Sequence, residues 1–175
     1  MKFASVLMAV ALSGAAVSAQ DLPSAFSTGP VIADYGPVAE VPGASPIAAD
    51  AVFQVAFDTA TPAEDAQLNR TLASAARFIN MHGRAGVDPD NVHVAIVLHG
   101  RAVQDVTHPA EGEENPNEGL IAALLEQNVE IYVCGQSAAY YEVTAEDLLP
   151  GVTMSLSAMT AHAQLQQRGY TLNPF

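Results

Sequence analysis

Val92-His93-Val94-Ala95-Ile96-Val97-Leu98 is a seven-residue run that is apolar at every position but one. A strand with one face in water alternates apolar and polar residues. A short run this uniformly hydrophobic instead fits a central strand covered on both faces. His99-Gly100 follows it directly. A second run of the same kind, Ile131-Tyr132-Val133-Cys134, ends in Cys134-Gly135. If the two strands lie parallel and adjacent, both pairs reach the same rim of the sheet.

Working outward, Val52 to Phe57 reads as another strand. Thr61-Pro62-Ala63-Glu64 reads as a helix start: a capping hydroxyl, proline at the first helical position and a carboxylate three residues after the cap. That helix is expected to run to His82, with Leu68, Leu72, Ala75, Ala76 and Ile79 inward, and to end at Gly83 and Gly86. Arg101 to Val106 reads as a short helix and His108 to Asn117 as an exposed polar loop. Asn117 to Gln127 is an amphipathic helix, and a short helix opens at Ser137 to Tyr141. Thr144 starts a further turn. Val152 to Leu156 is a strand, Ala158 to Gln167 a helix stopped by Gly169, and Tyr170 to Leu172 a short last strand. Strands alternating with helices imply a largely parallel sheet with helices on both faces, an α/β fold.

The amino terminus sets the expected compartment. Lys2, an apolar stretch from Phe3 to Val17 and the small residues Val17-Ser18-Ala19 have the layout of a secretory signal peptide, residues 1–19, cleaved after Ala19. No cysteine stands near that site, which excludes a lipoprotein anchor. No later segment is long and apolar enough to span a bilayer, so no membrane association is expected after cleavage. Residues 20–50 hold five of the eleven prolines and no helical period. They read as an extended arm whose Phe26, Val31, Ile32, Tyr35, Val38 and Val41 pack on the body or on a neighbouring subunit. The α/β domain takes residues 51–175.

Charge removes some functions. The chain carries 19 acidic side chains and a formal charge of −13. Beyond Lys2 its basic residues are Arg70, Arg77, Arg84, Arg101 and Arg168 alone. Nucleic acids and anionic membranes both demand a basic footprint that is missing here.

Cys134 is the one cysteine. In an oxidising compartment it forms no internal disulfide, so it is either a small buried hydrophobe or a reactive sulfur. The helix opening after Gly135 would aim amides at the sulfur, and with a nearby imidazole would raise the thiolate fraction. His99 reads equally as a loop or capping histidine, His93 as a satisfied core residue, His82 as a helix-end residue, and His162 as a surface residue. No cysteine pair or close histidine pair has metal-ligand spacing, so no metal or cofactor is expected. No dinucleotide, phosphate-loop or serine-hydrolase motif is present.

Several of these pieces together resemble the DsrE/DsrF-like (YchN-like) family: Val97-Leu98-His99-Gly100, Asn115-Pro116-Asn117, Val129 to Ser137, Glu146-Asp147-Leu148-Leu149-Pro150-Gly151-Val152 and Leu165 to Tyr170. Gly29-Pro30-Val31-Ile32 with Tyr35-Gly36 resembles exported members. The resemblance implies a three-layer α/β/α sandwich with a mainly parallel, roughly five-stranded sheet, and homo-oligomers such as trimers or hexamers. It also implies a sulfur-relay role. Cys134 would carry sulfane sulfur between donor and acceptor proteins, with His99, Gly100, Gly135, Gln136 and Ser137 lining its pocket. The rival expectation is a non-catalytic oligomeric module of the same fold that binds a small ligand or metal, with Cys134 as one wall.

Overall fold

The uniformly apolar run forms β4 (Val92–Leu98), the middle strand of a five-stranded sheet. The structure is a computed structural model that describes residues 22–174; the expected signal peptide lies outside the described residues. Strand β4 pairs with β3 (Phe53–Thr59) on one side and with β5 (Glu130–Cys134) on the other. Beyond them lie β6 (Val152–Ser155), against β5, and β7 (Thr171–Asn173), against β3. The order is β6-β5-β4-β3-β7, and every pairing is parallel.

Side-chain alternation divides the core into two. Val55, Phe57, Val94, Ile96, Leu98, Ile131 and Val133 face α1 (Arg70–Arg84) and α2 (Glu118–Glu126). The short α3 (Gly135–Tyr140) adds Ala138 to that side. Ala56, Ala95 and Val97 face α4 (Ala158–Gln167), which buries Ala161 and Leu165 against them. The result is the expected three-layer sandwich, with small alanines in the second face that let its single helix lie close.

A lone ten-residue helix spans only about 15 Å, less than the length of a seven-residue strand. His93 points to that face near the start of β4 and is exposed, contrary to the expected core position. It lies beyond what α4 covers.

The first long helix starts later than its sequence signals indicate. Thr61-Pro62 does not open it; α1 begins at Arg70 with Asn69 as its cap. Asn69 Oδ1 accepts from the backbone N–H groups of Thr71 at 2.9 Å and Leu72 at 3.4 Å. Its amide donates to Asp105 Oδ2 at 2.6 Å and to the Thr61 carbonyl at 3.1 Å, while Ala63 N–H donates to Asp105 at 2.8 Å. Asp105 lies in a 3-10 stretch, Gly100–Val106, where a short helix is expected. These long-range bonds hold residues 61–69 as a connection over the sheet rim. Asparagine is a strong cap in its own right.

The arm lies on its own body. Its strands β1 (Phe26–Ser27) and β2 (Val38–Ala39) pair antiparallel, separate from the main sheet. Buried Asn80 of α1 accepts from the N–H groups of Val31 and Ile32 and donates to the carbonyls of Ile32, Tyr35 and Gly36. Arg84 donates to the carbonyls of Ser27, Thr28, Gly29 and Val38.

Candidate functional site

Parallel pairing of Leu98 with Val133 and of Cys134 with Ser155 brings three strand ends to one rim. Helix α3 starts at the residue after Cys134, so the cysteine itself is the cap residue. Only glycine fits at position 135. A Cβ there would lie 2.5 Å from the Ser155 carbonyl oxygen and 3.3 Å from that of Leu156. That close approach packs the start of α3 against the end of β6.

Ser137 joins the two matching strand ends. Its Oγ accepts from Gly100 N–H at 2.9 Å, which leaves the hydroxyl proton for the Cys134 sulfur. Gly100 adopts φ +53°, the left-handed region that favours glycine, and there the chain turns from β4 into the 3-10 stretch.

The sulfur sits where two helices begin. Burial pushes the thiol pKa up. The Ser137 hydroxyl and the backbone N–H groups of Ser137, Ala158 and Gln136 act more strongly, and hold it below its ordinary value. Gln136 and Ser137 belong to the first turn of α3 and Ala158 to the first turn of α4. Ser157 caps α4 by accepting from Thr160 N–H at 3.0 Å. Ala158 escaped the sequence reading because it lies 24 positions away on another helix; only the β5–β6 pairing brings it near. The residue Cys134 is 6 % exposed, so the sulfur lies just beneath the surface. On the elements that follow β5 and β6, Tyr140, Leu156 and Met159 are 79 %, 72 % and 80 % exposed.

His99 takes another partner. Its Nε2 bonds Asp58 Oδ2 at 3.0 Å, and His162 Nε2 bonds Asp58 Oδ1 at 2.7 Å. A carboxylate only accepts, so each ring carries its proton on Nε2. No imidazole is among the groups that lower the Cys134 pKa, although His99 leaves β4 beside β5. His162, expected at the surface, is instead tied to the sheet rim, with its side chain 17 % exposed. Gln136 donates from its side chain to the Leu156 carbonyl at 3.4 Å, and its backbone N–H serves the thiol. His82 packs against Phe53 and Phe78, and His108 is exposed. Among the described residues no group of three or more His, Cys, Asp or Glu side chains is arranged to hold a metal ion.

This strand-end cysteine on a five-stranded parallel sheet agrees with a match to the DsrE/DsrF-like family model over residues 51–174. The chain belongs to the DsrE/DsrF-like family. Solved structures of the same fold include the MTH1491 protein of unknown function from Methanobacterium thermoautotrophicum. It is 17 % identical, with TM-score 0.53 over 72 % of this chain and 100 % of that one. The ychN protein from E. coli is 16 % identical, with TM-score 0.53 over 71 % of this chain and 100 % of that one. No curated protein sequence matches. At these identities the DsrE/DsrF-like structures share the fold, and the site is argued from this chain's own residues.

Proposed function

We propose that this DsrE/DsrF-like protein is a sulfur carrier of the relay type that acts outside the cytoplasm and holds sulfane sulfur on Cys134. The observation that carries the reading is the place of Cys134 at the carboxyl end of β5 and the start of α3, where the Ser137 hydroxyl and the N–H groups of Gln136, Ser137 and Ala158 hold its thiol below the ordinary pKa. Donors aimed at a sulfur favour its thiolate, the form that attacks. In the loading step the Cys134 thiolate attacks the outer sulfur of a persulfide R–S–SH. The new bond joins Sγ to that sulfur, the old S–S bond breaks, and R–S⁻ leaves with the electron pair. Unloading is the same exchange in reverse onto an acceptor thiolate. His99 and Asp58 flank the rim, and the exposed Tyr140, Leu156 and Met159 would meet a donor, an acceptor or a second copy of the chain.

Incubation with a polysulfide, followed by mass spectrometry of the intact protein, tests the proposal. A gain of one sulfur on the wild type and none on Cys134→Ser is expected. An unmodified Cys134 under every donor tried would falsify it. The burial of Cys134 favours a second reading, a non-catalytic small-ligand module in which the thiol is only a wall. That reading requires a thiol that resists alkylation in the native protein, whereas the carrier requires one that reacts.

A further inference from the structure

An open cleft of about 980 Å³ lies not over Cys134 but between α1 and the carboxyl ends of β3 and β7. One wall is a stripe of α1: Arg70, Ser74, Arg77, Phe78 and Met81, with Phe57 of β3 at its base. Arg70 and Arg77 are exposed, and neither side chain has an ion-pair partner or hydrogen bond among the described residues. Arg101 shares this state, although the protein carries 19 acidic side chains that could have supplied partners. The two other arginines with defined roles, Arg84 and Arg168, are fully engaged by the arm and by Glu130. The acidic group on the cleft, Asp58, has each of its oxygens taken by a histidine. Two guanidiniums against this one carboxylate leave a positive balance among the described lining residues.

The two arginines stand seven positions apart, two helical turns on the same face and about 10 Å along the axis. Unpaired guanidiniums at that spacing, flanking aromatic and thioether side chains, match a molecule with an apolar body and two separated negative groups. We propose that this cleft binds a small organic dianion, held at its ends by Arg70 and Arg77 and along its body by Phe57, Phe78 and Met81. The site needs no part of Cys134 and stands apart from the sulfur-carrier reading.

Isophthalate, with two carboxylates on an aromatic ring, is the test probe, and its neutral diamide is the control. Calorimetry and amide chemical-shift mapping on the full chain report on binding. Saturable isophthalate binding is expected, with shifts centred on Thr71, Ser74 and Phe78, and the diamide should bind at least tenfold more weakly. Arg70→Gln and Arg77→Gln should each weaken binding about fivefold or more, whereas Cys134→Ser should leave it unchanged. Both arginines are exposed, so the variants should keep the wild-type melting temperature, which is checked in parallel. Absence of saturable binding overturns the proposal. So does equal affinity for the diamide, or undiminished binding by the double variant.

Discussion

At Cys134 the outcome is set by donors, not by bulk exposure. Burial raises the pKa of this thiol, but the Ser137 hydroxyl and the neighbouring N–H groups together outweigh it. Removing the side-chain donor should therefore be visible. Ser137→Ala should lower the rate of Cys134 alkylation at neutral pH about fivefold, the effect of one hydrogen bond of about 1 kcal/mol. The pH profile of alkylation should move to higher pH; an unmoved profile would mean that Ser137 serves only Gly100. Gly135→Ala tests the geometry beneath the site. Its new methyl meets the Ser155 carbonyl, a backbone atom that cannot swing away. A loss of about 1–3 kcal/mol in denaturant unfolding is expected, as for other overpacked positions.

Among the elements, α1 does the most joining. Its cap Asn69 ties it to the 3-10 segment through Asp105, and its buried Asn80 ties it to the arm. Asn80 satisfies five backbone groups, and three of the bonds are buried. Asn80→Ala leaves those groups without partners, a penalty of about 1–3 kcal/mol. Limited proteolysis should then cut between Val31 and Ala48 faster than in the wild type, with the α/β body remaining intact. The late start of α1 shows why its boundary was hard to read. Thr61-Pro62-Ala63-Glu64 has a sound local start signal, yet the bonds of Ala63 and Thr61 to distant residues outcompete a first helical turn. Asn69, with the apolar period beginning at Leu72, was the signal available in the chain.

For the molecule as a whole, the covering of the second sheet face by α4 alone makes one electrostatic clamp important. Glu130 on β5 is held down from the ordinary 4.5 to about 2. The chief cause is the Arg168 guanidinium at the end of α4, which acts against burial and is joined by the hydroxyls of Tyr132 and Tyr170. A carboxylate with a depressed pKa in the folded state stabilises that state fully above pH 4.5. The stabilisation is lost as the pH falls toward 2, because the unfolded chain then binds the proton more readily. Arg168 is half-exposed, so solvent screening reduces the gain. Denaturant unfolding should show stability falling between pH 4.5 and 2, and Glu130→Gln should flatten that part of the curve. An unchanged slope in the variant would assign the acid sensitivity to other carboxylates.

The order of strands and helices, the parallel sheet and the position of Cys134 at a strand end were legible in the chain, because periodicity, glycine stops and apolar runs are local properties. The partners of Cys134 and His99 were not. Gln136 and Ser137 are near in sequence, but Ala158 reaches the sulfur only because β6 pairs with β5, and His99 meets His162 only through Asp58 on a third strand. The pairing of Arg70 with Arg77 along an open cleft likewise depends on what the folded chain leaves unneutralised. Local sequence determines which elements form and how they alternate. The tertiary structure decides which polar groups satisfy one another across them, because hydrogen bonds and charges act through space between residues that only folding brings together.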